Sequence, residues 1–279
     1  MLFASLSFAC MGVCVKLGTA HFSSSELVFY RCVFSLLFVS ALLFQTRTPL
    51  STPHWRGHLW RGLSGTIAMM LYFYCIATLP LASAITLNYT SAIFLTVLTL
   101  AVYKDRLHLP LIFSLTLGFV GVVLLLHPTF ERAQFVSGIL GLGSGLLAAV
   151  ALMNVRQLGL MGEPAVRVVF YFNLVATLVS GAWMIQTEVH KITLHNLWLL
   201  LGMGATATFA QVAMTHAYRV GHTQVVSTLS YSTIVFASLF GLLLWNEILP
   251  LDSWFGIVLI IGSGMLSLRL APTHTEAVK

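Results

Sequence analysis

Charged residues are scarce. Asp, Glu, Lys and Arg make up 8% of the 279 residues, where a soluble globular chain carries about 25%. So few charges cannot cover the surface of a water-soluble domain, so lipid must cover most of it. Long polar tracts are missing as well. The connections are short and only a few polar residues follow Arg269, so no separate soluble domain is expected. Cysteine gives no disulfide framework: Cys10, Cys14, Cys32 and Cys75 all lie inside apolar runs and read as buried small side chains. Enzyme signatures are absent, with no HExxH, no GxSxG and no phosphate-binding loop. Cys10 and Cys14 are a helical turn apart but have no histidine or acid on their face, so neither a metal nor a cofactor is expected. A cleaved leader is not expected either, because no basic segment precedes the first apolar run and Lys16 interrupts it. The net charge of +6 would suit nucleic acid. The basic residues, however, sit one or two at a time beside apolar runs without forming a stripe, so no nucleic-acid partner is expected.

Apolar residues are abundant, at 58% of the chain. The length has room for about ten spans of about 20 residues. Hydropathy and turn signals place them near 2–19, 25–44, 59–78, 82–103, 109–126, 137–157, 165–187, 196–217, 223–245 and 253–270. Pro49, Pro53, Pro80, Pro128, Pro164 and Pro250 fall in the breaks. With the N-terminus inside, the cytoplasmic side receives Arg47, Arg56, Arg61, Lys104, Arg106, Arg156, Arg167, Arg219, Arg269 and Lys279. The outer side receives only Arg132 and Lys191. That imbalance satisfies the positive-inside rule. The expected fold is an all-α integral membrane protein of ten transmembrane helices with both termini cytoplasmic. The expected setting is the lipid bilayer of a bacterial inner membrane.

Two stretches echo each other. Tyr89 to Leu107 reads YTSAIFLTVLTLAVYKDRL, and Tyr231 to Leu249 reads YSTIVFASLFGLLLWNEIL. Laid together without gaps, they agree at Tyr89/Tyr231, Phe94/Phe236, Leu100/Leu242 and Leu107/Leu249, and Asp105 pairs with Glu247. Val28-Phe29-Tyr30 likewise matches Val169-Phe170-Tyr171. Five spans per half is an odd number, so the second half (131–279) enters the membrane upside down relative to the first (1–130). Inverted repeats of this kind place a site near the midplane, between the halves.

At this point the chain resembles the drug/metabolite transporter superfamily, EamA type. The likeness rests on the ten-span layout, the repeated half and the basic residue early in span two (FYRCVFSLL). It rests also on the turn from Ala77 to Ala84 and on the aromatic-plus-acid endings Tyr103-Lys104-Asp105 and Trp245-Asn246-Glu247. The resemblance implies a secondary carrier for a small organic metabolite, exporting an amino acid or related compound by alternating access. Coupling to an ion or proton gradient is left open by the sequence, as is the choice between monomer and homodimer. A membrane-embedded enzyme acting on a lipid or isoprenoid is the alternative class. It would need a cluster of acids or histidines at one membrane face.

Charges inside hydrocarbon cost about 2.5–3.5 kcal/mol each at a helix centre. Lys16 and Arg31 are the two basic residues read as lying within spans. Either they snorkel to the outer interface or pair with Glu26, or they face the cavity and bind a substrate carboxylate or phosphate. The other candidate substrate contacts are Tyr72, Asn88, Tyr89, Asn154, Asn173, Gln211, Ser230 and Tyr231, against the alternative that they bond helix to helix. No acid lies mid-span. His216 is the candidate for titration near neutral pH. Gly118, Gly121, Gly141, Gly145, Gly262 and Gly264 read as close-approach positions.

Overall fold

The computed structural model describes residues 1–79, 81–103, 109–128, 135–185, 190–246 and 250–270. Lys104, Asp105, Arg106, Arg132, Glu247 and Lys279 lie outside these residues, so the boundary acids and several topology charges do too. Among the described residues there are twelve helices and no strands: α1 (Leu2–Gly18), α2 (Ser24–Gln45), α3 (Trp55–Thr78), α4 (Leu81–Tyr89), α5 (Ser91–Tyr103), α6 (Leu109–Leu126), α7 (Phe135–Leu160), α8 (Ala165–Met184), α9 (Leu194–Val220), α10 (Thr223–Ser230), α11 (Ser232–Trp245) and α12 (Leu251–Arg269). By length and composition, eight stretches are long and apolar enough to cross a membrane, counting α4 with α5 and α10 with α11 as one stretch each.

The expected continuous helices over 82–103 and 223–245 are each broken in mid-course. The break between α4 and α5 falls at Thr90, and that between α10 and α11 falls at Tyr231. The cause is local. Thr90 Oγ1 donates to the Leu87 carbonyl at 2.5 Å, and the Thr90 N–H reaches the same oxygen at 3.2 Å. At the second break Ser230 Oγ donates to Ser227 O and Ser232 Oγ to Leu229 O, both at 2.6 Å. Short-range hydroxyl bonds of this type compete with the i→i−4 ladder and bend helices. They also satisfy carbonyls that would otherwise be unpaired in an apolar interior.

Packing is dominated by a few helix pairs: α3 on α7, α6 on α12, α1 on α9, α2 on α8 and α9, α3 on α8, α5 on α7, and α1 on α11. Glycines admit two of these approaches. A Cβ at Gly145 of α7 would meet Thr90 Oγ1 at 2.5 Å and Leu87 O at 2.8 Å, so α7 closes directly onto the first break. A Cβ at Gly118 of α6 would meet the Tyr231 ring at 2.9 Å, at the second. Gly262 differs from expectation: nothing lies within 4 Å of its missing Cβ.

Helix α3 begins at Trp55 rather than near residue 59. That extra turn carries Arg61 inside the bundle and corrects its expected place among exposed end charges. Arg61 is 4% exposed.

Candidate functional site

The two breaks meet. Tyr89 and Tyr231 pack with ring centroids 6.0 Å apart, and Phe119 lies 6.3 Å from Tyr231 on its other flank. Tyr231 is fully buried, and its hydroxyl has no hydrogen-bond partner. Tyr218 OH bonds Ser227 Oγ at 3.2 Å, and Tyr72 packs against the cluster of Cys75, Leu79, Ala84 and Leu87. Two phenols thus meet at the helix breaks.

A second centre lies between α2, α3, α8 and α9. Arg31 of α2 points its Nη1 at the Met69 sulfur, 2.8 Å away, while its Nε is buried without a partner. Arg61 of α3 stacks over the Phe172 ring at 4.2 Å and reaches Gln211 Oε1 at 3.5 Å, and its Nε too is buried and unpartnered. Its guanidinium folds up into space left by Gly65, one turn further on, where a Cβ would collide with it. Met69 and Phe172 belong to one apolar cluster with Cys32 and Ala176.

The other expected site residues are dispersed. Lys16 is exposed and sits over the Trp245 ring at 4.1 Å, away from Arg31. Asn88 donates to Ser144 Oγ at 3.1 Å, and Ser144 donates in turn to Ala68 O at 3.0 Å, which ties α4, α7 and α3 together. Asn173 and Asn154 each spend an amide N–H on their own helix, on Val169 O and Val150 O. Asn154 also lines a recess of about 520 Å³ with Arg56 and Trp60. Ser230 is committed to its break. A cavity of about 820 Å³ is lined largely by apolar side chains of α1, α9 and α10, together with His216 and His222, and does not include the arginines.

Glu26 does not pair with Arg31. Its carboxylate accepts the His190 backbone N–H at 2.6 Å, lies 2.8 Å from His190 Nδ1, and accepts the Ser23 N–H at 2.8 Å in a capping box. This clamp fastens the start of α2 to the segment before α9. At the opposite end of α2 lies another. Glu163 accepts from Thr52 Oγ1 and from Arg167 Nη1 (2.8 Å), and His58 Nε2 stands 3.3 Å away. Arg167 Nε also donates to Pro49 O, and Tyr171 OH to Leu50 O, at 2.8 and 2.9 Å. Burial alone would raise the Glu163 carboxyl. The Thr52 and Arg167 hydrogen bonds, with the charges of Arg167 and His58, hold it below the ordinary carboxylate value.

Arg61 and the Glu163 clamp were not expected from the sequence. Gly65 at i+4 from Arg61, and the i, i+4 pair Glu163/Arg167, are the signals that could have found them. A depressed carboxyl stabilises above its unfolded-state pKa, and that contribution is lost as pH falls through the folded value. Glu163→Gln is therefore expected to lower stability by about 2 kcal/mol at neutral pH, less than for an isolated buried pair because Arg167 keeps the Pro49 carbonyl. It should also flatten the acid limb of the stability profile, read by thermal unfolding across pH.

Eight stretches long and apolar enough to cross a membrane, with many exposed large apolar side chains, suit a multi-pass membrane protein. The EamA-like transporter family profile matches residues 1–127 and 136–269, so the chain belongs to that family. It is 31% identical over 258 residues to the pseudopaline exporter CntI of Pseudomonas aeruginosa, covering 92% of this chain and 90% of that protein. It is 30% identical to an uncharacterized transporter of Helicobacter pylori, over 95% of this chain and 92% of the other. A solved crystal structure shares the fold with TM-score 0.85 at 17% identity, over 96% of this chain and 95% of that one.

Proposed function

We propose that the protein is a secondary carrier of the inner membrane that exports a small carboxylate-bearing metabolite, an amino acid or related compound, by alternating access. The observation that carries this reading is the meeting of two broken helices at Tyr89 and Tyr231. Interrupted helices at corresponding positions of two halves are the mark of a transporter's central site.

The contacts support two halves of five spans, 1–130 and 131–279, with α4–α5 and α10–α11 each counting as one. Exchanging the halves turns the α1·α9 contact into α7·α3, α2·α9 into α8·α3, and α1·α11 into α7·α5, all major pairs. The α2·α8 and α6·α12 contacts map onto themselves. Two halves of five spans put both termini on one side, and the imbalance of basic residues makes that side cytoplasmic; the Glu163 clamp is then the inner one and the Glu26 clamp the outer. Rocking of the halves would open one clamp at a time. Arg31, which among the described residues donates to the Met69 thioether, supplies the carboxylate contact. The exporter relative at 31% identity supports the outward direction.

The test compares metabolites in the medium of cells expressing the protein with those of cells lacking it, by mass spectrometry. Enrichment of a carboxylate-bearing metabolite outside is expected, and an unchanged medium together with loss of a modified lipid would favour the enzyme alternative. A reporter fused at the C-terminus is expected to read cytoplasmic; a periplasmic signal would overturn this topology and weaken the case for inverted halves.

A further inference from the structure

A recess of about 520 Å³ opens at one end of the bundle, where α3 starts and α7 finishes. Its volume is in the range of small-ligand sites. The floor is a close approach of the two helices: a Cβ at Gly57 would meet the buried Leu158 at 2.9 Å. The connections 46–54 and 161–164 lie at this same end. The recess therefore sits where hydrocarbon gives way to the polar surface of the bilayer.

Its lining is of two kinds. Trp55, Trp60 and Met161 are exposed large apolar side chains, and indoles favour the headgroup level of a membrane. Arg56, Asn154 and Gln157 are polar. The Arg56 guanidinium lies 5.4 Å from the centroid of the Trp55 ring. Among the described residues no acid forms an ion pair with it; Glu163, the acid of this end, is held by Arg167 and His58. The lining thus contains a fixed cation and no carboxylate.

A guanidinium takes a phosphate through charge-assisted hydrogen bonds. The two amides can bond the hydroxyl and ester oxygens beside that phosphate, and the exposed indoles and thioether offer apolar surface for the start of the acyl chains. A zwitterionic headgroup would bring a second cation to a site that has one already and no acid to balance it. We infer that this recess binds the headgroup of an anionic phospholipid, with its phosphate on Arg56. Basic pockets between membrane helices hold acidic headgroups by the same physics. This binding depends neither on which solute is carried nor on the direction of transport.

The test titrates the purified full chain in detergent with phosphatidylglycerol or phosphatidylcholine of matched acyl chains and counts bound lipid by native mass spectrometry. The first phosphatidylglycerol is expected to bind about fivefold more tightly than the first phosphatidylcholine, the effect of one basic residue at the membrane surface. Arg56→Gln should bring the two lipids level. Arg56→Glu reverses the charge at the same exposed position and should bind phosphatidylglycerol less tightly than phosphatidylcholine, which keeps the test decisive where the glutamine variant is lost. Arg269→Gln removes a charge from the exposed end of α12 and should leave the preference within about twofold, because separated surface charges are screened. Inorganic phosphate and glycerol phosphate, at matched ionic strength, should not displace the lipid. Equal binding of both lipids by the parent, or an undiminished preference in Arg56→Gln, would overturn the inference. So would an equal loss in Arg269→Gln, which would reduce the effect to general surface charge. Displacement by glycerol phosphate would overturn it too, by assigning the recess to a soluble phosphate ester.

Discussion

Replacing Arg31 with glutamine is expected to lower export about 100-fold with the protein still folded and inserted. Among the described residues the guanidinium has no carboxylate to hold it, and it donates to the Met69 sulfur. Losing the charge therefore leaves no buried partner stranded. Stability should be near that of the parent, whereas a bound carboxylate loses charge-assisted hydrogen bonds worth about 3 kcal/mol, or about 100-fold. Efflux of the identified solute from expressing cells, normalised to membrane protein level, measures the first quantity, and thermal unfolding measures the second. Lys16→Gln serves as the internal comparison. Lys16 lies over Trp245 at a helix end and away from the arginines, so export should change less than about threefold.

The largest effect on stability is expected at the α6–α12 contact. A Cβ at Gly121 would meet the Gly256 carbonyl oxygen at 2.8 Å, Ile260 Cγ1 at 2.9 Å and Leu259 Cβ at 3.0 Å. A Cβ at Gly256 would meet Gly121 O at 2.6 Å and Leu125 N at 2.8 Å. The obstructing atoms are largely backbone, so no rotamer change relieves them, and the two helices must separate along their length. Ser253, whose Oγ donates to Leu125 O at 3.1 Å, and Ser114, bonded to Ser263 O at 2.6 Å, would lose their cross-helix bonds as well. Gly121→Val is expected to cost about 3 kcal/mol through this overpacking. Gly262→Ala, on the same α12 but with open space around it, is expected to stay within about 0.5 kcal/mol. Unfolding of both variants in detergent, side by side, checks the pair.

Much of the fold was legible because hydrocarbon imposes a simple rule: apolar runs of spanning length become helices whose backbone bonds are internal. The echo between Tyr89 and Tyr231 likewise pointed to the residues where the broken helices cross. The breaks themselves were not read, because hydropathy stays high through both stretches. The hydroxyl groups that cause the bends, Thr90, Ser230 and Ser232, are too small to interrupt an apolar pattern. Arg61 was misplaced for a different reason. It stands six residues after a polar loop, and a count of charges along the chain cannot tell an end residue from one carried inward by an earlier helix start at Trp55. Glu26 illustrates the limit of local spacing. Arg31 is a near neighbour in sequence, yet the capping geometry at Ser23 turns the carboxylate toward His190, 164 residues away. The Glu163 clamp depends on Thr52 and His58, which only the packing of α3 on α8 brings close.

Solute counterflow in proteoliposomes tests the central claim most directly. Vesicles are loaded with the unlabelled solute identified by export, diluted into a trace of the labelled form, and followed for entry. A carrier whose central site faces one side at a time predicts that internal solute accelerates entry several-fold, with a transient overshoot that Arg31→Gln abolishes. Entry at the same rate from loaded and empty vesicles, unaffected by Arg31→Gln, would contradict it.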